Sequence, residues 1–228
     1  DWKIKSATVT QNRDNTYQIS ILFEYTDKPV ALRSVTKESS VGLDYKSDGL
    51  YADSNGNVCN MPHYYRLSAE LLAKQQRKLR HKTIGSNNYR KQQLKAAKIS
   101  RHVANQRKDF LHKQSTAIAK QYACVCVEDL DMKAISNKGF GNGKATLDNG
   151  YGMFLNMLDY KLKASGGYLV KVDKWFPSSQ ICNHCGTIHT EMKDLLIHTI
   201  KCDCGYIADR DTNAALNIKK EWLRLLSA

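Results

Sequence analysis

Two groups of residues in this chain are of types that do chemistry. The first is Cys182-Asn-His-Cys185 with Cys202-Asp-Cys204, two pairs separated by 16 residues, each followed by a glycine, Gly186 and Gly205. Four thiolates in two tight knuckles match a tetrahedral Zn²⁺ site. Metal binding of this kind stabilises a small module with almost no core, because binding free energy becomes folding free energy. The second knuckle is CxC rather than CxxC, and His184, His189 and His198 are near enough in sequence to replace a ligand. Four buried or free cysteines are the competing reading. With four protein ligands the site is closed, so the expected Zn²⁺ is structural. The other three cysteines, Cys59, Cys124 and Cys126, are scattered. An odd total with one tight cluster argues against a disulfide scaffold and for a reducing compartment.

The second group is acidic. Asp44 ends the apolar run SVGLD, Glu128 ends ACVCVE, and Asp211 opens the last helical stretch, with 84 and 83 residues between successive members. Three carboxylates at the ends of separate elements can converge at one edge of a sheet. Without cations such a cluster is costly, so it implies divalent metal. Two Mg²⁺ or Mn²⁺ ions about 3.5–4 Å apart can activate water and stabilise a leaving 3′ oxygen in phosphodiester hydrolysis. Spacing alone leaves the assignment open. An Asp at a turn or helix start is often a cap, and Asp48, Asp129, Asp131, Asp173 and Asp209 occupy comparable positions.

Positioning these groups requires a framework. Residues 17–25, YQISILFEY, alternate apolar and polar and predict a strand with one face buried. The Tyr-rich strands before residue 35 are expected to be a separate β-rich module. Residues 41–59 predict short strands joined by turns at 47–49 and 54–56. YACVCVEDLD at 122–131 is a short, fully apolar strand of the kind found mid-sheet. The glycines of 139–152 predict a loop, 153–164 a helix, 168–173 a strand and 212–226 a closing helix. Strands followed by interleaved helices and strands predict a mixed α/β sheet. There is no internal repeat.

Between residues 66 and 113 stand 14 Lys and Arg against only Glu70 and Asp109, whereas the whole chain carries a net charge of +13. One stretch therefore holds nearly all the excess. It contains no Pro and a single Gly, with apolar residues at Leu67, Leu71, Leu72 and Leu79 in helical spacing. The break at 84–88 offers Gly85 as a C′ residue and Ser86 or Asn87 as the next N-cap. A second helix then carries apolar pairs seven residues apart: Ala96/Ala97, Val103/Ala104, Phe110/Leu111 and Ala117/Ile118. The prediction is a helical hairpin with a narrow seam and a wide basic face. A solvated face normally mixes signs, so nucleic-acid contact is preferred over the bland reading. The candidate contacts are Arg77, Lys78, Arg80, Arg90, Lys91, Lys95, Lys98, Arg101, Arg107, Lys108 and Lys113.

Composition bounds the rest. With 42% hydrophobic and 25% charged residues the chain is globular rather than disordered. No apolar run reaches the ~18–20 residues of a membrane span, and no signal peptide opens it. The absence of an initiator Met leads to the expectation of a fragment or a processed chain.

The blocks VGLD, QRKDFLHKQST, VCVEDLDMKAI, GYLVKVDKWFPSSQICNHCG and KCDCGYIADRDTNAALNI appear in this order. Together they resemble the TnpB (OrfB) proteins of small bacterial insertion sequences, and more distantly the compact type V CRISPR effectors. The resemblance runs from about residue 40 to residue 219, most of the chain. It implies an RNase H-like (RuvC) mixed sheet with an inserted basic hairpin and a zinc ribbon, preceded by a short β-rich remnant. It implies catalytic roles, with Mg²⁺ or Mn²⁺ as ligand, for Asp44, Glu128 and Asp211, with Asp209 less suited. It implies target DNA and a guide RNA from the transposon end as partners, two-metal phosphodiester hydrolysis, and a cytoplasmic, nucleoid-associated setting in a bacterium or archaeon. The expected parts are 1–35 as the remnant of a guide-binding domain, 36–175 with 206–228 as the nuclease including the hairpin 63–121, and 176–205 as the ribbon. Family members usually carry a longer N-terminal half, so the chain alone is not expected to perform guided cleavage. The competing reading is a nuclease-inactive or truncated relative that binds DNA or RNA as a regulator or idle remnant.

Tyr45-Lys46 stand where the family favours small or apolar residues, and Lys46 could pair with a carboxylate or a phosphate, or point outward. Cys124 and Cys126 fall on Glu128's face of their strand and are expected to be small buried residues. Trp175 and Phe176 could stack on a base or pack in the core.

Overall fold

The computed structural model describes residues 2–26, 29–136 and 143–226. The described chain divides into two compact units. One comprises residues 1–30 and 63–110, the other residues 31–62 and 111–228.

The first unit opens with an antiparallel hairpin, β1 (Trp2–Gln11) and β2 (Tyr17–Tyr25), with a bulge between Ile4 and Ser6. The strands form as the alternation predicts, but the expected buried face is uncovered: every residue of both strands is exposed. The apolar row is paired within itself instead, with the ring of Trp2 stacked 4.7 Å from Tyr25. Helix α1 (Tyr64–Arg80) follows, then α2 (Asn87–Gln121), whose C-terminal part from residue 111 belongs to the second unit. Gln92 of α2 donates to Gln75 of α1 at 2.9 Å, and Phe110 meets Tyr64 edge-on at 6.4 Å, which makes the two helices antiparallel. Helix α1 ends at Arg80, so Gly85 is not its C′ residue; it is a left-handed turn residue, with φ +83°. Ser86 starts α2, accepting the Tyr89 N–H at its Oγ. The seam expected on α1 is thin: the helix buries no residue, and Leu67 and Leu71 are exposed. The hairpin was expected inside the nuclease domain, whereas residues 63–110 group with the β1–β2 hairpin.

The second unit is built on a five-stranded mixed sheet. It contains β3 (Ser40–Tyr45), β4 (Tyr51–Asp53), β5 (Val58–Cys59), β6 (Cys124–Glu128) and β7 (Tyr168–Val172), in the spatial order β5-β4-β3-β6-β7. β3, β6 and β7 are parallel, while β4 and β5 return antiparallel. β6 sits mid-sheet, and Cys124 to Val127 are fully buried, as its unbroken apolar run requires.

One face of the sheet is covered by α5 (Tyr151–Ala164) and the end of α2. These contribute the buried side chains of Leu111, Ile118, Phe154, Leu158 and Leu162, and the Phe154 ring stacks on Tyr51 of β4 at 5.5 Å. Lys161 of α5 donates to the His112 carbonyl and the Ser115 and Thr116 hydroxyls at 2.7–2.8 Å. Arg33 caps the end of α2 by donating to the Ala119 and Tyr122 carbonyls. The opposite face carries α6 (Arg210–Leu226), with Cys124, Cys126, Val172 and Ile218 in one buried cluster joined by Phe176 and Trp222. Of the loop expected at 139–152, residues 139–142 lie outside the described residues. From residue 143 the chain is helical instead, as α4 (Gly143–Asn149) running to Gly150 and α5. A short α3 (Met132–Ile135) precedes it.

Between β7 and α6 the chain forms a small module with one 3₁₀ turn (Thr190–Lys193) and a two-stranded ribbon, β8 (Thr199–Lys201) and β9 (Ile207–Asp209). β9 lies past residue 205, where the ribbon was expected to end. Among the described residues, no helix is long and apolar enough to cross a membrane.

Candidate active site and metal centre

Strand register and one close approach direct the three carboxylates to the same end of the sheet, although among the described residues their oxygens do not form a group within 4.8 Å of one another as the cysteine thiols do. β3 and β6 are parallel with Leu43 opposite Val127, so the next step places Asp44 beside Glu128. Both residues sit at the carboxyl ends of parallel strands, the usual location of sites in open α/β sheets. Alternation puts Gly42 and Asp44 on one face, and Cys124, Cys126 and Glu128 on the same face of the neighbouring strand. That face is the one α6 covers. A Cβ on Gly42 would lie 2.0 Å from the Ala215 carbonyl oxygen, so glycine is what lets α6 lie directly on β3. From that crossing, Asp44 is two residues along the strand, about 6.6 Å, and Asp211 is four residues back along the helix, about 6 Å.

The electrostatics record the convergence. Burial pushes the Asp44 carboxyl well above its ordinary range, and the charges of Glu128 and Asp211 push it further; Arg210 and Lys46 oppose them. Burial raises Glu128 as well, against a hydrogen bond donated by the Ser178 hydroxyl to its Oε1. Lys46 answers one of the sequence alternatives. Its Nζ lies 2.8 Å from Asp211 Oδ2 and 3.3 Å from Asp48 Oδ1. Burial alone would lower the ammonium's pKa, but these two carboxylates raise it overall.

The competing carboxylates are occupied otherwise. Asp129 pairs with Lys171 at 2.7 Å, Asp131 caps α3 through the Lys133 and Ala134 N–H groups, and Asp173 accepts the Trp175 N–H. Asp209 caps α6 by accepting from the Thr212 N–H at 3.0 Å, whereas Asp211, in the first turn of α6, pairs with Lys46. By donor chemistry the hard carboxylate oxygens of Asp44, Glu128 and Asp211 suit Mg²⁺ or Mn²⁺.

The four cysteines also meet. The Sγ atoms of Cys182, Cys185, Cys202 and Cys204 all lie within 4.8 Å of one another, with Cys185–Cys202 at 3.5 Å and Cys182–Cys204 at 3.7 Å. A tetrahedron with Zn–S bonds of ~2.3 Å has sulfur–sulfur edges of roughly 3.8 Å, so the set fits zinc. Hydrogen bonding with Thr187 draws the Cys185 thiol down to about 6, while, against backbone hydrogen bonds, burial and the neighbouring thiols hold Cys202 and Cys204 above their ordinary value, so the four thiols share few negative charges without a cation. No histidine joins the group: His189 pairs with Glu191 and His184 stacks against Tyr206. Met192 and Ile200 form the module's small core with Cys182.

Sequence reasoning missed how the two centres are joined. Asn213 and Asn217, buried on α6, lie four residues apart on one face. Asn217 Nδ2 donates to the Ser178 and Ile181 carbonyls at 2.7 and 2.6 Å, and Asn213 Nδ2 donates to Ile181 at 2.8 Å. Asn183 returns two bonds, from its N–H to Asn213 and from its Nδ2 to Asn217. The segment so held carries Ser178, which contacts Glu128, and Cys182, in the cysteine group. The available signal was a pair of asparagines inside a helix, where they are otherwise poorly suited.

Of the basic residues, Arg77, Lys78, Arg80, Arg90, Lys91, Lys95, Lys98, Lys108 and Lys113 are exposed. Arg101 and Arg107 are partly buried, and Arg101 pairs with the buried Asp14 at 3.1 Å. Phe176 packs in the core, whereas Trp175 is 79% exposed beneath the Lys174 ammonium.

Residues 20–138 match the family OrfB_IS605, described as "Probable transposase", and residues 151–218 match the "Cas12f1-like, TNB domain". A Streptomyces pristinaespiralis protein named "Putative RNA-guided DNA endonuclease" is 34% identical over 213 residues, 93% of this chain and 52% of that protein. The Escherichia coli K12 protein "Putative RNA-guided DNA endonuclease InsQ" is 32% identical over 231 residues, 94% of this chain and 56% of that protein. The chain thus spans about half the length of the curated relatives it matches. A cryo-EM structure of a Cas12f1–sgRNA–target DNA complex shares the fold, with TM-score 0.61 and 19% identity over 96% of this chain and 46% of that one.

Proposed function

Because the chain belongs to the OrfB_IS605 family of transposon-associated, TnpB-like proteins, we propose that it carries the nuclease centre of an RNA-guided DNA endonuclease. The sheet is read as RuvC-like, with Asp44, Glu128 and Asp211 as the metal-holding catalytic carboxylates. What supports this reading is the parallel register that sets Asp44 beside Glu128 at the ends of β3 and β6, and the close approach of α6 to β3 at Gly42 that directs Asp211 toward them.

Each chain residue has a definable task. Asp44, Glu128 and Asp211 would hold two Mg²⁺ or Mn²⁺ ions, which supply water activation and charge at the leaving 3′ oxygen when bound. Ser178 fixes the rotamer of Glu128 by its hydrogen bond. Gly42 sets the depth at which α6 presents Asp211. The exposed cations of α1 and α2 grip phosphates without reading sequence, which a guide–target duplex supplies by base pairing. The cysteine module holds zinc and anchors the Ser178 segment.

The test is nicking of single-stranded DNA by the zinc-loaded chain in Mg²⁺, and guided cleavage of duplex DNA by a version carrying the relatives' additional length. Asp44→Ala should abolish both. Cleavage that survives Asp44→Ala, or no guided cleavage by the long version with its guide, would sink the reading.

A further inference from the structure

Lys46 stands in the turn that follows β3, and its ammonium is the cation within reach of Asp211 Oδ2, at 2.8 Å. The backbone of this turn is clamped. Fully buried Asn149 donates its Nδ2 to the Ser47 carbonyl at 2.8 Å, and Tyr45 packs on Tyr151 with ring centroids 4.8 Å apart. The lysine stem is not clamped: the side chain is about one-quarter exposed at 24%, and its second partner, Asp48, is 74% exposed. The Nζ can therefore move while the turn stays fixed.

A Mg²⁺ ion held by Asp211 would sit about 2.0–2.1 Å from a carboxylate oxygen. An ammonium 2.8 Å from Oδ2 competes with it, because two cations on one carboxylate repel. The carboxylate cluster thus carries its own counter-cation.

We infer that Lys46 is the resident counter-cation of the carboxylate cluster, displaced from Asp211 when divalent metal binds and then taken up by a phosphodiester of the incoming strand. This rests on the metal-site reading above. It makes metal and nucleic acid bind cooperatively. A phosphate that accepts the ammonium leaves Asp211 to the metal, and by linkage the metal favours nucleic acid by the same factor. In a chain without nucleic acid, Lys46 weakens metal binding at Asp211.

The experiment is Mn²⁺ titration of the zinc-loaded chain, followed by electron paramagnetic resonance, with and without a nuclease-resistant single-stranded oligonucleotide. Wild type, Lys46→Met, Lys46→Gln, Lys46→Arg and Asp44→Ala are compared, and thermal melting shows that each is folded. Without oligonucleotide, Lys46→Met and Lys46→Gln should bind Mn²⁺ roughly fivefold more tightly or better, the scale of one partly exposed ion pair. Lys46→Arg should stay near wild type. The oligonucleotide should tighten Mn²⁺ binding in wild type and much less in the neutral variants. Equal or weaker Mn²⁺ binding by both neutral variants overturns the inference if Asp44→Ala still removes the bound ion. If wild type with oligonucleotide binds no Mn²⁺ that Asp44→Ala removes, the metal-site reading itself fails and the inference falls with it.

Discussion

Replacing Gly42 by alanine adds one methyl group at the point where β3 and α6 touch. The new Cβ would lie 2.0 Å from the Ala215 carbonyl oxygen and 3.1 Å from its carbon, both backbone atoms that no rotamer change can move. Ordinary contact begins near 3.4 Å, so the helix must withdraw by about 1.4 Å along that direction. Gly42 does not have a positive φ, so the penalty is one of contact and not of backbone conformation. Overpacking of this sort costs about 1–3 kcal/mol. For a chain of this size that lowers the melting temperature by about 2–12 °C. The functional loss should be larger than the stability loss. Asp211 rides on the displaced helix one turn away, and a shift of about 1 Å in a reacting group can cost about 10²-fold in rate. The assay pairs thermal melting with Mn²⁺ affinity and cleavage, using Gly152→Ala as control. A Cβ at Gly152 meets nothing within 4 Å, in a helix where alanine is favoured. A Gly42→Ala protein with wild-type melting and wild-type Mn²⁺ affinity would refute the close-approach argument for how the carboxylates are brought together.

Other consequences can be measured independently. Asn217→Ala removes the side-chain donor of the Ser178 carbonyl and one of the two that Ile181 accepts, the other coming from Asn213; a loss of about 1–3 kcal/mol is expected in urea melts, and an unchanged midpoint would contradict it. Removing zinc with a chelating dye should release one ion per chain and expose the backbone amides of 178–209 to hydrogen exchange while the amides of β6 stay protected; uniform protection would show that the module does not need metal. Asp44 and Glu128 both titrate above their ordinary range when no divalent ion is bound, Asp44 through burial and then its acidic neighbours, Glu128 through burial. The folded chain then holds more protons than the unfolded chain above about pH 4. Their contribution to stability is full below that point and is lost as pH rises through the raised folded values. Without added divalent ion, wild type should lose stability relative to Asp44→Asn as pH rises above the ordinary carboxylate range, and a difference that is flat with pH would count against the cluster. Lys95→Ala combined with Lys98→Ala should reduce the slope of log affinity against log salt for duplex DNA by about 2; an unchanged slope would move the binding surface elsewhere.

The second unit was the most legible from sequence. β6 announced itself by an unbroken apolar run, because a strand buried on both faces has no polar positions to offer. The cysteines announced the ribbon, because few other structures need two knuckles followed by glycines. Asp44, Glu128 and Asp211 could not be separated from Asp129, Asp131, Asp173 and Asp209 by type or spacing. What separates them is partnering: those four are engaged by Lys171, helix starts or a backbone N–H, and these are tertiary facts. The exposure of β1 and β2 was illegible for a related reason. Alternation shows that a strand has an apolar face but says nothing of what covers it. The grouping of residues 63–110 with the β-hairpin was hidden behind the continuity of α2, a 35-residue helix that runs unbroken from one unit into the other.

The asparagine pair on α6 has a consequence for how the molecule can change. Asn213 and Asn217 read the backbone of the segment that enters the cysteine module, on the same helix that carries Asp211 in its first turn. The module therefore cannot be exchanged as a cassette cut at its cysteines. A graft that kept all four thiols but altered the backbone at 178–183 would leave the helix gripping nothing, and Glu128 would lose its hydroxyl partner. The smallest transplantable part runs from Ser178 through Asn217.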